Sequence, residues 1–423
     1  AATAATAATA ATATTAAGAF SQASDVPGDG MCIKEMIFIR HGRSSWNEFL
    51  GSHRRADWED QEKKRAGLRG TLRNMVGRQG PDPSSELFED PDNPRKGFWQ
   101  GVRGGVKHVA NALTHASKLN QVDHPLSPVG LVQARALRGS VAALIGEETC
   151  GRAGAALLGC KDWYISPYLR ALETAAYALA PLYRRDSSLR MRLTIQASEI
   201  VKSQMSLDCQ GKKGNTGLKV ITRAVAKIAE SLDEEELDPQ DRAVTVERQA
   251  ELAEVSAALC AMDLTEVAQV WWKDLSDFKR EQIRQEDIRV RSLVTMLLQH
   301  DAPRVGLVAH SLLFQRILQL FWPSESAIQQ ELRAAMRNGA PPETRDPLQD
   351  KIMNCGTLVL TWRYQNADRA REAGVSPTAS IVAAEFLFDG HMESALSGEK
   401  QTCEVPDAGE GSEYLGNELR APA

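Results

Sequence analysis

Three short apolar runs in this chain each stop at a cationic or polar motif, and that pattern constrains the fold more than any other feature. Met36-Ile37-Phe38-Ile39 runs into Arg40-His41-Gly42. Trp163-Tyr164-Ile165 runs into Ser166-Pro167, with Arg170 close behind. Val305-Gly306-Leu307-Val308-Ala309 runs into His310-Ser311. Buried strands that end this way and lead into helices are the units of an open α/β sheet. Such sheets gather ligand groups at the carboxyl ends of their strands. Parallel strands bring those ends to one edge, so two histidines and two arginines can converge on one anion. Taken singly, each residue has an ordinary structural reading: a histidine packed at a strand end, an arginine on a helix surface. Their joint occurrence is what points to a site.

The alternation extends along the chain. Candidate strands are 36–40, 162–166, 193–198, 304–309, 356–363 and 381–388, the last as an edge element. Candidate helices follow Ser127, Ser166 and Ser311, and Ser166 is a candidate cap. The expected fold class is α/β: a three-layer α/β/α sandwich on a mostly parallel sheet.

The residue types suggest phosphoryl chemistry. A phosphomonoester is a dianion, and arginine's planar fork matches its oxygens, a role for Arg40 and Arg170. A neutral imidazole can attack phosphorus and divide one hard step into two. His41, between Arg40 and Gly42 at the strand end, fits that role. His310 can donate to the phosphoryl oxygens as charge develops. The sequence displays no metal-ligand cluster, and neither a metal nor a cofactor is expected.

Four blocks in this order resemble the histidine phosphatase superfamily, the phosphoglycerate mutase-like family. They are Arg40-His41-Gly42-Arg43-Ser44 with Trp46-Asn47, Pro125-Leu126-Ser127-Pro128-Val129-Gly130-Leu131-Val132-Gln133-Ala134, Ser166-Pro167-Tyr168-Leu169-Arg170-Ala171-Leu172-Glu173-Thr174-Ala175, and Val308-Ala309-His310-Ser311. The resemblance implies His41 as nucleophile, His310 as the second histidine, and phosphate contacts from Arg40, Arg170, Ser44 and Asn47. It also implies an acid after a later strand. Glu199 is the candidate, with Asp208 in reserve. Arg43 departs from the family's usual Glu or Gln, Ser311 from its usual glycine, and Ala309 from its usual Ser or Thr. No aspartate follows His310, which disfavours the acid phosphatase and phytase branch. No counterpart of the mutase segment surrounds Glu199. The implied function is a metal-independent phosphomonoesterase working through phosphohistidine. The alternatives are a mutase or sugar bisphosphatase of the same fold, or a non-catalytic member that binds a phosphorylated ligand.

Composition is that of an ordinary globular protein, with 43% apolar and 25% charged residues. The net charge of -5 disfavours a general nucleic-acid binder. Seven cysteines without a C-x-x-C pair suggest reduced thiols and a cytoplasmic setting. No apolar run is long enough for a membrane span. The expected partner is a phosphorylated small molecule or phosphoprotein; no oligomeric state is legible.

Residues 1–30 open with an alanine–threonine tract and read as a disordered tail, without the features of a targeting segment. The catalytic domain is expected over 31–388, with insertions at about 49–122 and 205–250. The first is rich in glycine and basic residues and could cap the pocket or be a solvated insertion. Residues 218–300 read as mainly helical and set apart from the compact core. There, Val267, Val270, Trp271 and Leu275 recur at helical spacing, as core packing would. The acidic stretch 389–423 reads as a second disordered tail.

Overall fold

The computed structural model describes residues 31–45, 47–48, 122–147, 149–200, 212, 214–233, 242–271, 275–337, 346–366, 378–388 and 390–393. The tail 1–30, Trp46, nearly all of the 49–122 insertion, Asp208 and residues beyond 393 lie outside them.

The sheet is built from β1 (Met31–Arg40), β2 (Asp162–Ile165), β3 (Arg190–Leu193), β4 (Arg304–Ala309), β6 (Thr357–Gln365) and β7 (Ala379–Leu387), in the order β3-β2-β4-β1-β6-β7. A separate small ladder joins β5 (Lys351–Ile352) to β8 (Met392–Glu393). The pairs β1/β4, β2/β4 and β2/β3 are parallel, while β6 is antiparallel to both β1 and β7. The three motif-bearing strands therefore lie side by side in the order β2-β4-β1, pointing the same way.

Side chains alternate across the sheet. Ile37 and Ile39 join one core with Trp163, Ile165, Met191 and Val308. Met36 and Phe38 face the other core with Tyr164, Val305, Leu307 and Trp362. The first face is covered by α1 (Pro128–Gly146), α2 (Arg152–Leu158), α3 (Leu169–Arg185), α4 (Gly217–Asp233) and α5 (Arg242–Cys260). The second is covered by α6 (Leu275–Gln299), α7 (Ser311–Phe321) and α8 (Ser326–Arg337). This is the three-layer α/β/α arrangement expected from the alternation.

Several expectations are corrected. The strand expected at 193–198 ends at Leu193, and residues Ile195–Ala197 form a 3₁₀ turn capped by the Thr194 hydroxyl, which accepts from the Gln196 amide. The strand proper was hidden by Arg190 and Arg192, which reach Asp162 at the sheet edge. The 218–300 stretch does not depart from the core: Val220, Ala224 and Ile228 of α4, and Val255 and Leu259 of α5, pack into it. Their four-residue spacing gives each helix one apolar face. The stripe Val267–Leu275 does not lie on one helix. Val267 ends a 3₁₀ turn and is buried, Val270 is exposed, and Leu275 opens α6. Ordered structure also passes residue 388, because Met392 of β8 is fully buried.

Candidate active site

The parallel ladder continues past the strand ends and sets the site's geometry. The His41 amide donates to the Ala309 carbonyl (3.0 Å), and the Ser166 amide donates to the Val308 carbonyl (3.0 Å). These two bonds bring His41, His310 and Ser166 together at one edge. The rings of His41 and His310 lie 5.0 Å apart between centroids, inclined at 61°.

His41 is buried and its tautomer is fixed by its neighbours. Nδ1 lies 2.6 Å from the Gly42 carbonyl oxygen, which can only accept, so Nδ1 carries the hydrogen. Nε2 accepts from Arg170 Nε at 3.2 Å, consistent with a lone pair there. Burial, then the charges of Arg170 and Arg40, holds the imidazole well below its ordinary pKa. The result is a neutral ring with its Nε2 lone pair directed at the arginine.

The glycine beside it is required. A Cβ on Gly42 would lie 2.8 Å from the Gly130 carbonyl oxygen. Gly42 is held in place by its amide, which donates to Thr174 Oγ1 (3.0 Å), whose hydroxyl donates in turn to the Arg170 carbonyl (2.7 Å). One threonine on α3 thus ties the loop of the nucleophile candidate to the residue that carries Arg170. The Pro125–Ala134 block is a backing for the same loop. Ser127 caps α1 by accepting from the Gly130 amide, the Ser127 amide donates to the Arg43 carbonyl, and Gln133 Oε1 accepts from the Arg43 amide.

Arg170 is buried on the first turn of α3, its guanidinium 5.2 Å from the centre of the Tyr168 ring. Arg40 donates to the Ile352 carbonyl and acts on both histidines through its charge. His310 caps the start of α7 and is fully buried. Its Nε2 bonds the Ser166 hydroxyl at 2.7 Å, so Ser166 serves the second histidine, and the cap of α3 is Tyr168, not Ser166 as expected from sequence. Burial, then Arg170 and His41, keeps His310 well below the ordinary imidazole pKa. Glu199 is buried; its Oε1 accepts from the Ile200 amide (3.0 Å), and its Oε2 lies 3.8 Å from His310 Nδ1.

The structure therefore brings His41, Arg40, Arg170, His310 and Glu199 to one sheet edge. Ser44 and Asn47 stand one step away: Ser44 Oγ accepts from the Asn47 amide (3.3 Å) in a turn, and the Asn47 side chain makes no hydrogen bond among the described residues. Sequence reasoning missed three supporting residues. Thr174 was within a quoted motif but had no assigned role. Asp123 and Glu173 are buried carboxyls behind the site: Asp123 Oδ1 accepts from the Leu169 amide at the start of α3, and Glu173 Oε2 accepts from the Leu126 amide. Glu173 lies within a quoted motif and Asp123 two residues before another, and those positions were the available signal.

Among the described residues, one potential metal set emerges that the linear sequence does not display. His41, Glu199 and His310 each offer a ligand atom within 4.8 Å of the others. The field opposes a dication there. Arg170 holds Nε2 of His41, and the arginine charges that disfavour imidazolium disfavour Zn²⁺ as well.

No family model matches the chain, and no curated protein matches it. Among solved structures, the chain is similar to a mycobacterial glucosyl-3-phosphoglycerate phosphatase, at 14% identity over 83% of this chain and 97% of that one, with a TM-score of 0.30. It is similar to an ecdysone phosphate phosphatase from Bombix mori in complex with tungstate, at 16% identity over 77% and 88%, TM-score 0.30. It is also similar to a phosphoglycerate mutase from Bacillus anthracis, at 13% identity over 78% and 88%, TM-score 0.28. These likenesses are too distant to assign a residue's role or a substrate, which rest on the site's own geometry.

Proposed function

We propose that the protein is a phosphomonoesterase that works through a phosphohistidine at His41. The observation that carries this reading is the neutral, buried His41, with its Nε2 lone pair held by an arginine and a second buried histidine 5.0 Å away. A bound phosphoryl group takes over the Arg170 hydrogen bond, and Arg40 adds positive charge. Nε2 attacks phosphorus as the ester P–O bond breaks. His310 donates to a phosphoryl oxygen, and protonated Glu199 gives its proton to the leaving alkoxide. Glu199, now ionised, takes a proton from water as the water's oxygen attacks phosphorus. The N–P bond breaks, returning neutral His41 and inorganic phosphate. Ser44 and Asn47 are assigned to the rim of the phosphate pocket, and Asp208 is the alternative proton donor.

The positive field in this reading comes from Arg40 and Arg170, so turnover needs no metal. The substrate is a phosphorylated small molecule or phosphoprotein, and the setting is cytoplasmic. No described helix is long and apolar enough to cross a membrane, and Cys32, Cys150, Cys160, Cys260 and Cys355 are free thiols.

Turnover of p-nitrophenyl phosphate by parent and H41A, each with and without EDTA, tests the reading. H41A should lose at least about 100-fold in kcat/KM, and the parent should be unchanged by EDTA. Parent-like turnover in H41A would exclude His41 as nucleophile. Loss with EDTA, restored by a divalent ion, would replace the arginine field with a metal at the His41, Glu199 and His310 donors.

A further inference from the structure

The loop that carries Glu199 is held by a residue outside every motif. Arg289 lies on α6, far from Glu199 in sequence, and its side chain is half-buried between helix and loop. One of its nitrogens, Nη1, donates to two loop carbonyls, Gln196 at 2.7 Å and Ser198 at 2.8 Å. These are alternate carbonyls of the 3₁₀ turn immediately before Glu199. The turn's remaining internal bonds are three: Thr194 Oγ1 accepts from the Gln196 amide, the Ala197 amide donates to the Thr194 carbonyl (3.3 Å), and the Ser198 amide donates to the Ile195 carbonyl (3.0 Å). A charged donor bridging two carbonyls fixes the backbone that aims the carboxyl at His310. Arg289 also adds to the positive field at His310.

We infer that Arg289 is a positioning residue for proton delivery: it sets the turn that places Glu199 against the leaving-group oxygen. This deepens the proposed function and rests on the assignment of Glu199 as the acid. Arg289 touches neither substrate nor the reacting atoms. Its removal should therefore reproduce the signature of a displaced acid while leaving attack by His41 intact.

Two aryl phosphates of similar shape separate these effects. The 4-nitrophenolate leaving group needs little protonation, whereas phenolate needs more. In R289L, kcat/KM for phenyl phosphate should fall about ten-fold further than for p-nitrophenyl phosphate, the direction expected when general acid help is lost. E199Q should show the same split. The double variant E199Q/R289L should show no larger split than E199Q, because the two changes remove one function. R289K retains the charge and can still donate, so it should recover most of the phenyl phosphate loss.

Equal losses on both esters in R289L, or a split that grows in the double variant, would overturn the inference. A split in E199Q that is absent from R289L would remove the role of Arg289 alone. Equal losses on both esters in E199Q would remove Glu199 as acid and this inference with it. If R289L does not fold, R289Q takes its place with the same readings, since glutamine can keep one of the two bonds without the charge.

Discussion

At the scale of single residues, the site depends on where protons are held. His41 and His310 are neutral because burial and arginines disfavour their charged forms. Behind them, Glu173 is pushed the other way. Burial raises its pKa to about 8, and among the described residues Oε1 makes no hydrogen bond, while Oε2 accepts from Leu126 at 2.6 Å. An unfolded glutamate releases its proton near 4.5. Between those two values the folded chain keeps a proton that the unfolded chain has lost, so this group makes stability fall as pH rises. Its contribution is fully present below about 4.5 and lost by about 8. The histidines act in the opposite sense, lowering stability as pH falls below about 6.5. E173Q isolates the first effect, because the histidine contributions cancel between variant and parent. Denaturant unfolding should show E173Q more stable than the parent at pH 9, by on the order of 2 kcal/mol, with the difference shrinking toward pH 4.5. A difference independent of pH would mean that Glu173 does not titrate in this window.

At the scale of elements, the strand ends are placed by close packing that only certain residues permit. Trp163 on β2 faces Gly306 on β4, and a Cβ at 306 would lie 2.1 Å from the indole. G306A should destabilise the protein by about 1–3 kcal/mol, as overpacking in a core does. Thermal unfolding checks this; an unchanged midpoint would show that the β2–β4 pair can separate without cost. The elements that sequence revealed are those with local signals. The apolar runs at β1, β2 and β4 and the turn after each were legible because apolar length, glycine and polar punctuation lie within a few residues. The first half of β1 was not, because Lys34 and Glu35 interrupt the run; in the structure Lys34 caps carbonyls at the end of α6, and Glu35 pairs with Arg304 and Arg152. β3 was misplaced for the same reason, its two arginines being paired with Asp162. The Val267–Leu275 spacing misled because so few residues can show helical recurrence across two separate elements, here a 3₁₀ turn that ends at Val267 and a helix that opens at Leu275. Nothing local distinguishes the two until the packing partners are known.

At the scale of the whole molecule, the site is an agreement between distant segments. Four blocks of the chain supply His41, the Ser127 backing, Arg170 and His310, and the sheet order β2-β4-β1 brings the strand ends before His41, Arg170 and His310 to one sheet edge. The sequence marks these residues as candidates because each block carries its own motif. It does not identify what steadies them, since Asp123–Arg223, Glu173–Leu126 and Arg289 with its two carbonyls join positions with no shared local pattern. The Asp123–Arg223 pair ties α4 to the start of α3, so a helical stretch with no catalytic motif supports the turn that bears Arg170. The proposed function turns on covalent attack by His41. The direct test is mass spectrometry of protein quenched in alkali during turnover of p-nitrophenyl phosphate. A phosphoryl group on His41 that survives base, is lost in acid and is absent from H41A is the predicted result. A phosphoryl group on another residue, or none while product accumulates in a burst, would contradict it.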